Sequence, residues 1–165
     1  MIPLKERLLY LLAIGVSVVA LDQITKHLVV HLLTHRVVVI PGLVDLVTVY
    51  NRGMAFGMLN AGQYTFRTVL LTALNGVVFI VLLSVFLLSK DVARLTMISL
   101  SLIMGGAAGN IIDRVRLGYV VDFIDAYVKG AHWPAFNVAD SAITVGAVLL
   151  AIDLLISGRA RKGQT

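Results

Sequence analysis

Four aspartates, Asp22, Asp113, Asp122 and Asp140, stand in or beside long apolar runs of a 165-residue chain that is 59% hydrophobic and only 14% charged. An ionisable group at hydrocarbon depth is costly unless it faces protein or trapped water, so its presence points to function. The last three fall in one short stretch and carry Asn110, Arg114 and Asn137 as polar neighbours. Two carboxylates brought within a few ångströms cannot both ionise and share one proton. One then takes a proton from water, while the other donates to a carbonyl oxygen or leaving group. Asp122 and Asp140 are the candidate pair. Asp113 is the rival to Asp122, because it lies on the same side of the membrane and is fixed by a helix.

Each of these residues also has a plainer structural reading. Asn137-Val138-Ala139-Asp140 has the spacing of a capping box at the start of the fourth apolar run, and a helix N-terminus favours the negative charge of Asp140. Asp122 lies between Val121 and Phe123, so the expectation is a loop carboxylate held against apolar walls. Asn110 and Asp113 share a helix face at i, i+3, and Asp113 and Arg114 can pair with each other or with neighbours. Asp22 and Lys26, at i, i+4, can neutralise one another. Gly105, Gly106 and Gly109, with Ala107 and Ala108, allow close helix contact. His27, His31 and His35 would fall on one face if the first helix extends that far. A zinc site there is weighed and set below an interfacial role.

The elements that must position these groups are helices. A spanning segment must pair its own backbone polar groups, which leaves helix bundles or closed barrels, and the apolar runs are continuous rather than alternating. Four spans are predicted, at approximately 8–30, 68–88, 95–112 and 138–156, each approaching the roughly 20 residues needed to cross the bilayer. The chain is read as one integral membrane domain, residues 1–165. Val37 to Ile40, Pro41-Gly42, and Leu43 to Tyr50 read as strand, turn, strand. This extramembrane β region, approximately 37–56, is expected to rest on the membrane, and its hairpin to take an extended peptide by strand addition. The segment 113–137 is expected to be a loop.

Lys5, Arg7, Lys90, Arg94, Arg159, Arg161 and Lys162 flank the spans in dense clusters and predict both termini in the cytoplasm. A cleavable leader ending near Ala20 is the alternative; it would leave three spans and put Asp22 at a free terminus. Cysteine is absent, which excludes thiol catalysis, disulfides and Cys-based zinc sites. The net charge of +5 comes without aromatic-basic interleaving, so no nucleic-acid partner is expected.

These motifs together resemble the bacterial lipoprotein signal peptidases, or type II signal peptidases. The resemblance runs through Leu21-Asp22-Gln23 with Lys26, Asn51-Arg52-Gly53-Met54-Ala55-Phe56, Gly105 to Arg114, Val120-Val121-Asp122-Phe123, and Phe136-Asn137-Val138-Ala139-Asp140-Ser141. It covers nearly the whole chain. It implies a membrane all-α protein of four transmembrane helices. A small periplasmic β-cradle would lie between helices 1 and 2, and a periplasmic loop between helices 3 and 4. It also implies an aspartic endopeptidase of the inner membrane, which cuts diacylglyceryl-modified prolipoproteins on the N-terminal side of the lipidated cysteine. Asp122 and Asp140 would be catalytic. Asn51, Asn110, Arg114 and Asn137 would bind substrate or position the pair, with Asp22, Asp113, Gly106 and Ala139 in support. No metal and no cofactor are implied. The expected partners are the prolipoprotein and membrane lipid, with the enzyme a monomer. Within the pair, the helix end is expected to make Asp140 the base and the apolar walls to leave Asp122 with the proton. A proton- or ion-coupled transporter using buried carboxylates, and a structural subunit, are the competing classes.

Overall fold

The computed structural model describes residues 2–53, 61–89 and 92–162; Met54, Ala55, Phe56 and Lys90 lie outside them. Four helices in it are long and apolar enough to cross a membrane. Helix α1 runs Leu4–Leu32 and contains a π-helical stretch, Leu11–Val16. Helix α2 runs Ala61–Leu88, α3 Arg94–Leu117 and α4 Val138–Lys162. Exposed Leu, Val and Ile on α1, α2 and α4 form the surface that such a bundle turns toward lipid.

Helix α3 is the centre of the bundle and packs against the other three. Its small residues make this possible. A Cβ on Gly105 would stand 2.9 Å from the Gly15 carbonyl oxygen of α1, and one on Gly106 would press on the Ala139 carbonyl oxygen of α4. A Cβ on Gly146 of α4 would likewise meet the Ser99 carbonyl oxygen at 2.8 Å. These backbones approach because the side chains are missing. At the end remote from the aspartates, Phe86, Met97, Leu100 and Met104 form an apolar cluster. There Arg7, read in the sequence only as a flanking charge, is buried. It donates to the carbonyls of Ile2, Phe86 and Ser89, covering the open C-terminal carbonyls of α2.

The third helix extends past the expected end at 112 to Leu117, so Asp113 and Arg114 are helical. Gly118 then terminates it with φ +80°, and its N–H bonds the Arg114 carbonyl, a left-handed cap of the kind glycine favours. The segment beyond is not the loop that was expected. Strands β3 (Val120–Val128) and β4 (Ala131–His132) join β1 (Val37–Ile40) and β2 (Val44–Asn51) in one antiparallel sheet of order β1-β2-β3-β4. The two inter-helix segments therefore form a single layer over one end of the bundle. Val120 to Phe123 are buried at every position, because this half of β3 is covered on both faces. That removes the alternation by which a half-buried strand is recognised.

In this order β2 is paired on both edges, by β1 and by β3. Its hairpin therefore has no free β2 edge for the expected strand addition. The sheet has its own polar anchor. Asp45 is fully buried, accepts from the Arg36 guanidinium and receives the Tyr127 hydroxyl at 3.2 Å. The Asp45 carboxylate beside Arg36 raises the guanidinium further above its ordinary value. Arg36 also lies over the Tyr127 ring.

Candidate active site

Strand β3 carries Asp122 to the mouth of the bundle. Its neighbour β2 ends at Asn51, which pairs with Val120, while Val49 faces Asp122. One extra β2 residue between Leu46 and Val49 makes a bulge immediately before this pairing, a device that re-aims side chains. On the other edge, the N–H groups of Phe123 and Ile124 both donate to the Phe136 carbonyl. That contact brings the start of α4, and with it Asn137 and Asp140, beside Asp122.

The capping box expected at 137–140 is present and reciprocal. The Asp140 N–H donates to Asn137 Oδ1 at 2.9 Å, and the Asn137 N–H to Asp140 Oδ2 at 3.3 Å. The intervening Ala139 N–H is satisfied from another helix, donating to Asp22 Oδ1 at 3.0 Å. The first turn of α4 is thus capped both locally and by α1, which fixes where Asp140 stands.

Asp122 and Asp140 belong to one hydrogen-bonded array. Asn51 Nδ2 donates to Asp122 Oδ2 at 2.8 Å, and Asn137 Nδ2 to Asp122 Oδ1 at 2.7 Å. Asn110 Nδ2 donates to Asp140 Oδ1 at 2.8 Å. Asn137 Nδ2 also reaches Asn110 Oδ1 at 3.2 Å and the Val121 carbonyl at 3.3 Å. Asp122 is 2% exposed. Burial pushes its carboxyl up to about 6; the Asn51 bond opposes that shift and the Asp140 charge adds to it. The Asp140 charge reaches Asp122, so the two carboxylates interact across the array.

Asp113 and Asp22 are ion-paired with Lys26. Each oxygen nearest Lys26 lies 2.8 Å from its Nζ. Asp113 also receives Gln23 Nε2 at 2.8 Å and the Val121 N–H at 3.2 Å. Lys26 therefore bridges α1 to α3 rather than only neutralising Asp22. Asp113 pairs with Lys26 and not with Arg114. The Arg114 guanidinium lies in the field of Asp140, Asp122 and Asp113. Among the described residues its Nη1 is buried without a hydrogen-bond partner. Gly109 is the close-approach position behind the site: a Cβ there would meet Asp22 Oδ2 at 2.6 Å and the Ala139 Cβ at 3.4 Å.

His27 and His31 meet as tilted rings with centroids 4.1 Å apart, and His31 Nδ1 bonds the His27 carbonyl at 2.8 Å. No group of three or more metal-ligating His, Cys, Asp or Glu occurs among the described residues.

Two grooves flank the carboxylates, divided by the segment 133–136. The more polar of the two, about 270 Å³, is lined by Tyr50, Asn51, Arg52 and Asp122 together with Val49, Pro134 and Ala135. The second is mostly apolar, about 430 Å³, lined by Trp133, Phe136, Asp140, Ser141, Thr144 and Val145.

Residues 14–156 match the family model of signal peptidase (SPase) II, Peptidase_A8. The chain is 46% identical over 149 residues to a lipoprotein signal peptidase of Solibacter usitatus, covering 87% of this chain and 90% of that one. It is 49% identical over 148 residues to one from Cupriavidus necator, with 87% and 82% covered. A bacterial membrane enzyme solved by the in meso method at 2.3 Å resolution superposes with a TM-score of 0.78 at 33% identity. The superposition covers 90% of this chain and 88% of that chain.

Proposed function

Because the chain belongs to the signal peptidase II family, a family of bacterial membrane proteins, we propose that it is an intramembrane aspartyl endopeptidase acting on diacylglyceryl-modified prolipoproteins. It removes their signal peptides by cutting on the N-terminal side of the lipidated cysteine. One observation carries this reading: Asn137 donates to both carboxylates, to Asp122 from its side-chain amide and to Asp140 from its backbone N–H, while its amide oxygen accepts the Asp140 backbone N–H. Two acids tied to one residue at the mouth of an apolar bundle suit hydrolysis of a bond held at the membrane surface.

The reaction follows from the array. Asp140, at a helix N-terminus and receiving the Asn110 amide, begins as the base and takes a proton from water. The water oxygen bonds the scissile carbonyl carbon. Asp122, whose burial favours its neutral form, gives its proton to the carbonyl oxygen. On collapse the C–N bond breaks, Asp140 returns its proton to the leaving amine, and Asp122 recovers its own from the hydroxyl. Arg114, with a buried N–H to spare, donates a hydrogen bond to a substrate carbonyl. The groove beside Asn51 and Arg52 takes extended peptide, and the more apolar groove beside Trp133 takes the acyl chains of the lipid.

The clusters of Lys and Arg at the span ends support a topology with both termini in the cytoplasm. The sheet then lies on the periplasmic side, the dyad lies near the outer leaflet, and the enzyme acts as a monomer in lipid. A carboxylate relay through the bilayer finds no support, because the acids gather at one end. Asp153, toward the other end, is held by the Thr96 hydroxyl.

The test is a processing assay with a lipid-modified precursor, comparing Asp113→Asn, Asp122→Asn and Asp140→Asn. Cleavage is expected to vanish in the latter two and to persist in part in the first. An active Asp122→Asn or Asp140→Asn enzyme refutes the dyad.

A further inference from the structure

An asparagine amide presents a donor on one side and an acceptor on the other, and only its surroundings decide which faces a carboxylate. Three asparagines touch the dyad, and in each the oxygen is claimed by a group that can only donate. Asn51 Oδ1 accepts the Gly53 N–H at 2.8 Å. Asn137 Oδ1 accepts the Asp140 N–H at 2.9 Å. Asn110 Oδ1 accepts Lys26 Nζ at 3.1 Å. Each NH2 group is thereby turned toward an aspartate oxygen. Two of these locks are backbone N–H groups, which side-chain substitutions other than proline leave in place. The third is the side chain of Lys26, which is 3% exposed and whose three N–H bonds are all used, on Asp22, Asp113 and Asn110.

We propose that Lys26 is a positioning residue of the peptidase reaction: its ammonium holds the Asn110 amide in the one orientation that offers Asp140 a hydrogen-bond donor, and so keeps Asp140 ready as the base. The inference rests on the aspartyl-peptidase reading. Without the ammonium the Asn110 oxygen keeps only Asn137 Nδ2, at 3.2 Å and shared with Asp122 and the Val121 carbonyl, and the amide is held less firmly against turning its carbonyl toward Asp140. An acceptor there favours the protonated carboxyl, which cannot activate water. Asp22 and Asp113 serve by holding Lys26 in place, which explains why two further buried carboxylates surround a site that uses only two. The charged groups facing this network are Asp22 from α1, Asp113 and Arg114 from α3, Asp122 from β3 and Asp140 from α4.

Removing Lys26 also changes the local charge, and the test must separate charge from orientation. Three variants do so in the precursor-cleavage assay. Lys26→Arg keeps an obligate donor. Lys26→Met removes it. Lys26→Met with Asp22→Asn removes one charge of each sign, leaving the local net charge as it was and an amide oxygen for the Ala139 N–H. In both Met variants kcat is expected to fall about 10- to 100-fold, the scale of one hydrogen bond to a charged group, with KM within about threefold. The acidic limb of the kcat profile should move to higher pH in both, while Lys26→Arg keeps the parent limb. If the double variant recovers the parent rate and limb, Lys26 acts only through its charge and the proposal falls.

The unaltered protein supplies a check that needs no variant to fold. With asparagine labelled at the side-chain nitrogen, the Asn110 NH2 resonances should shift with pH along the same acidic limb. Resonances indifferent to that titration overturn the proposal. A parent enzyme that fails to cleave the precursor at all refutes the peptidase reading instead, so the two failures are distinguishable.

Discussion

Asp122→Asn should change stability in a way that reverses its weight with pH. The buried carboxyl holds its proton up to about 6, against the ordinary 3.8, chiefly because burial disfavours the charged form. A group that binds its proton more tightly in the folded state adds stability that is fully present below 3.8 and is lost as pH rises through about 6. At about pH 8 the parent therefore carries an ionised carboxylate in a dry site, and asparagine, neutral throughout, does not. Asparagine has its own cost. Both Asp122 oxygens receive amide N–H groups, from Asn51 and Asn137, and an NH2 at either place opposes one of them at about 1–3 kcal/mol. That cost does not depend on pH and cancels when two pH values are compared. At about 1.4 kcal/mol per pH unit, the stability of the variant relative to the parent should drop by about 2 kcal/mol between about pH 8 and about pH 4.5. For a chain of this size this is roughly 4–8 °C in Tm. Thermal melts of both proteins, followed by circular dichroism in the same detergent at the two pH values, measure it directly. A difference in Tm that is the same at both would show that Asp122 is not held neutral by burial, and the acid role assigned to it would go with it.

Gly106→Ala should be among the most damaging single methyl additions. The new Cβ presses on the Ala139 carbonyl oxygen and lies 2.8 Å from Ile143 Cγ1. We expect a loss of about 1–3 kcal/mol and a fall in kcat, as α4 moves off α3 and Asp140 off Asn110. Ile143→Ala should not rescue it, because the obstructing atom is backbone; a rescue would refute the packing account. Asn137→Ala removes both the α4 cap and an Asp122 donor, with an expected cost of about 2–3 kcal/mol and no measurable cleavage. Asn137→Ser restores a capping oxygen without the amide. It should recover about 1 kcal/mol of stability with cleavage still absent, and equal recovery of both in melts and assay would show that Asn137 matters only as a cap.

The parts of the site legible in the sequence are those fixed by short spacing. Asn137 and Asp140 are three residues apart, and their reciprocal bonds are what a capping box at that spacing predicts. Asn51 and Gly53 behave alike: Gly53 takes φ +79°, and its N–H closes the turn on Asn51 Oδ1. The Asp22–Lys26 contact is a helical i, i+4 pair. What could not be read is long-range. Lys26 reaches Asn110 across 84 positions and Asp113 across α1 and α3, and no local pattern encodes that helix register. The same gap hid β3, since a strand buried on both faces has lost the alternation that would announce it, and only its content of Val, Phe and Ile from 120 to 124 hinted at one.

The division between local and long-range contacts has a physical consequence for the site. The locks on Asn51 and Asn137 form as soon as their own turn or helix end forms, so they survive any relative motion of the helices. The Lys26 lock on Asn110 exists only while α1 and α3 keep their register, which Gly105 against Gly15 and Gly109 against Asp22 hold at close approach. Asp140 is thus the carboxylate whose environment depends on assembly of the bundle, and Asp122 the one whose partners sit on its neighbouring strand and the adjoining helix cap. A perturbation that loosens α1 from α3 should therefore cost the base before the acid. In the cleavage assay it would move the acidic limb of the pH profile and leave the alkaline limb in place. Gly105→Ala, remote from both carboxylates and pressed against the Gly15 backbone, is the substitution to test it, and a shift confined to the alkaline limb would contradict the argument.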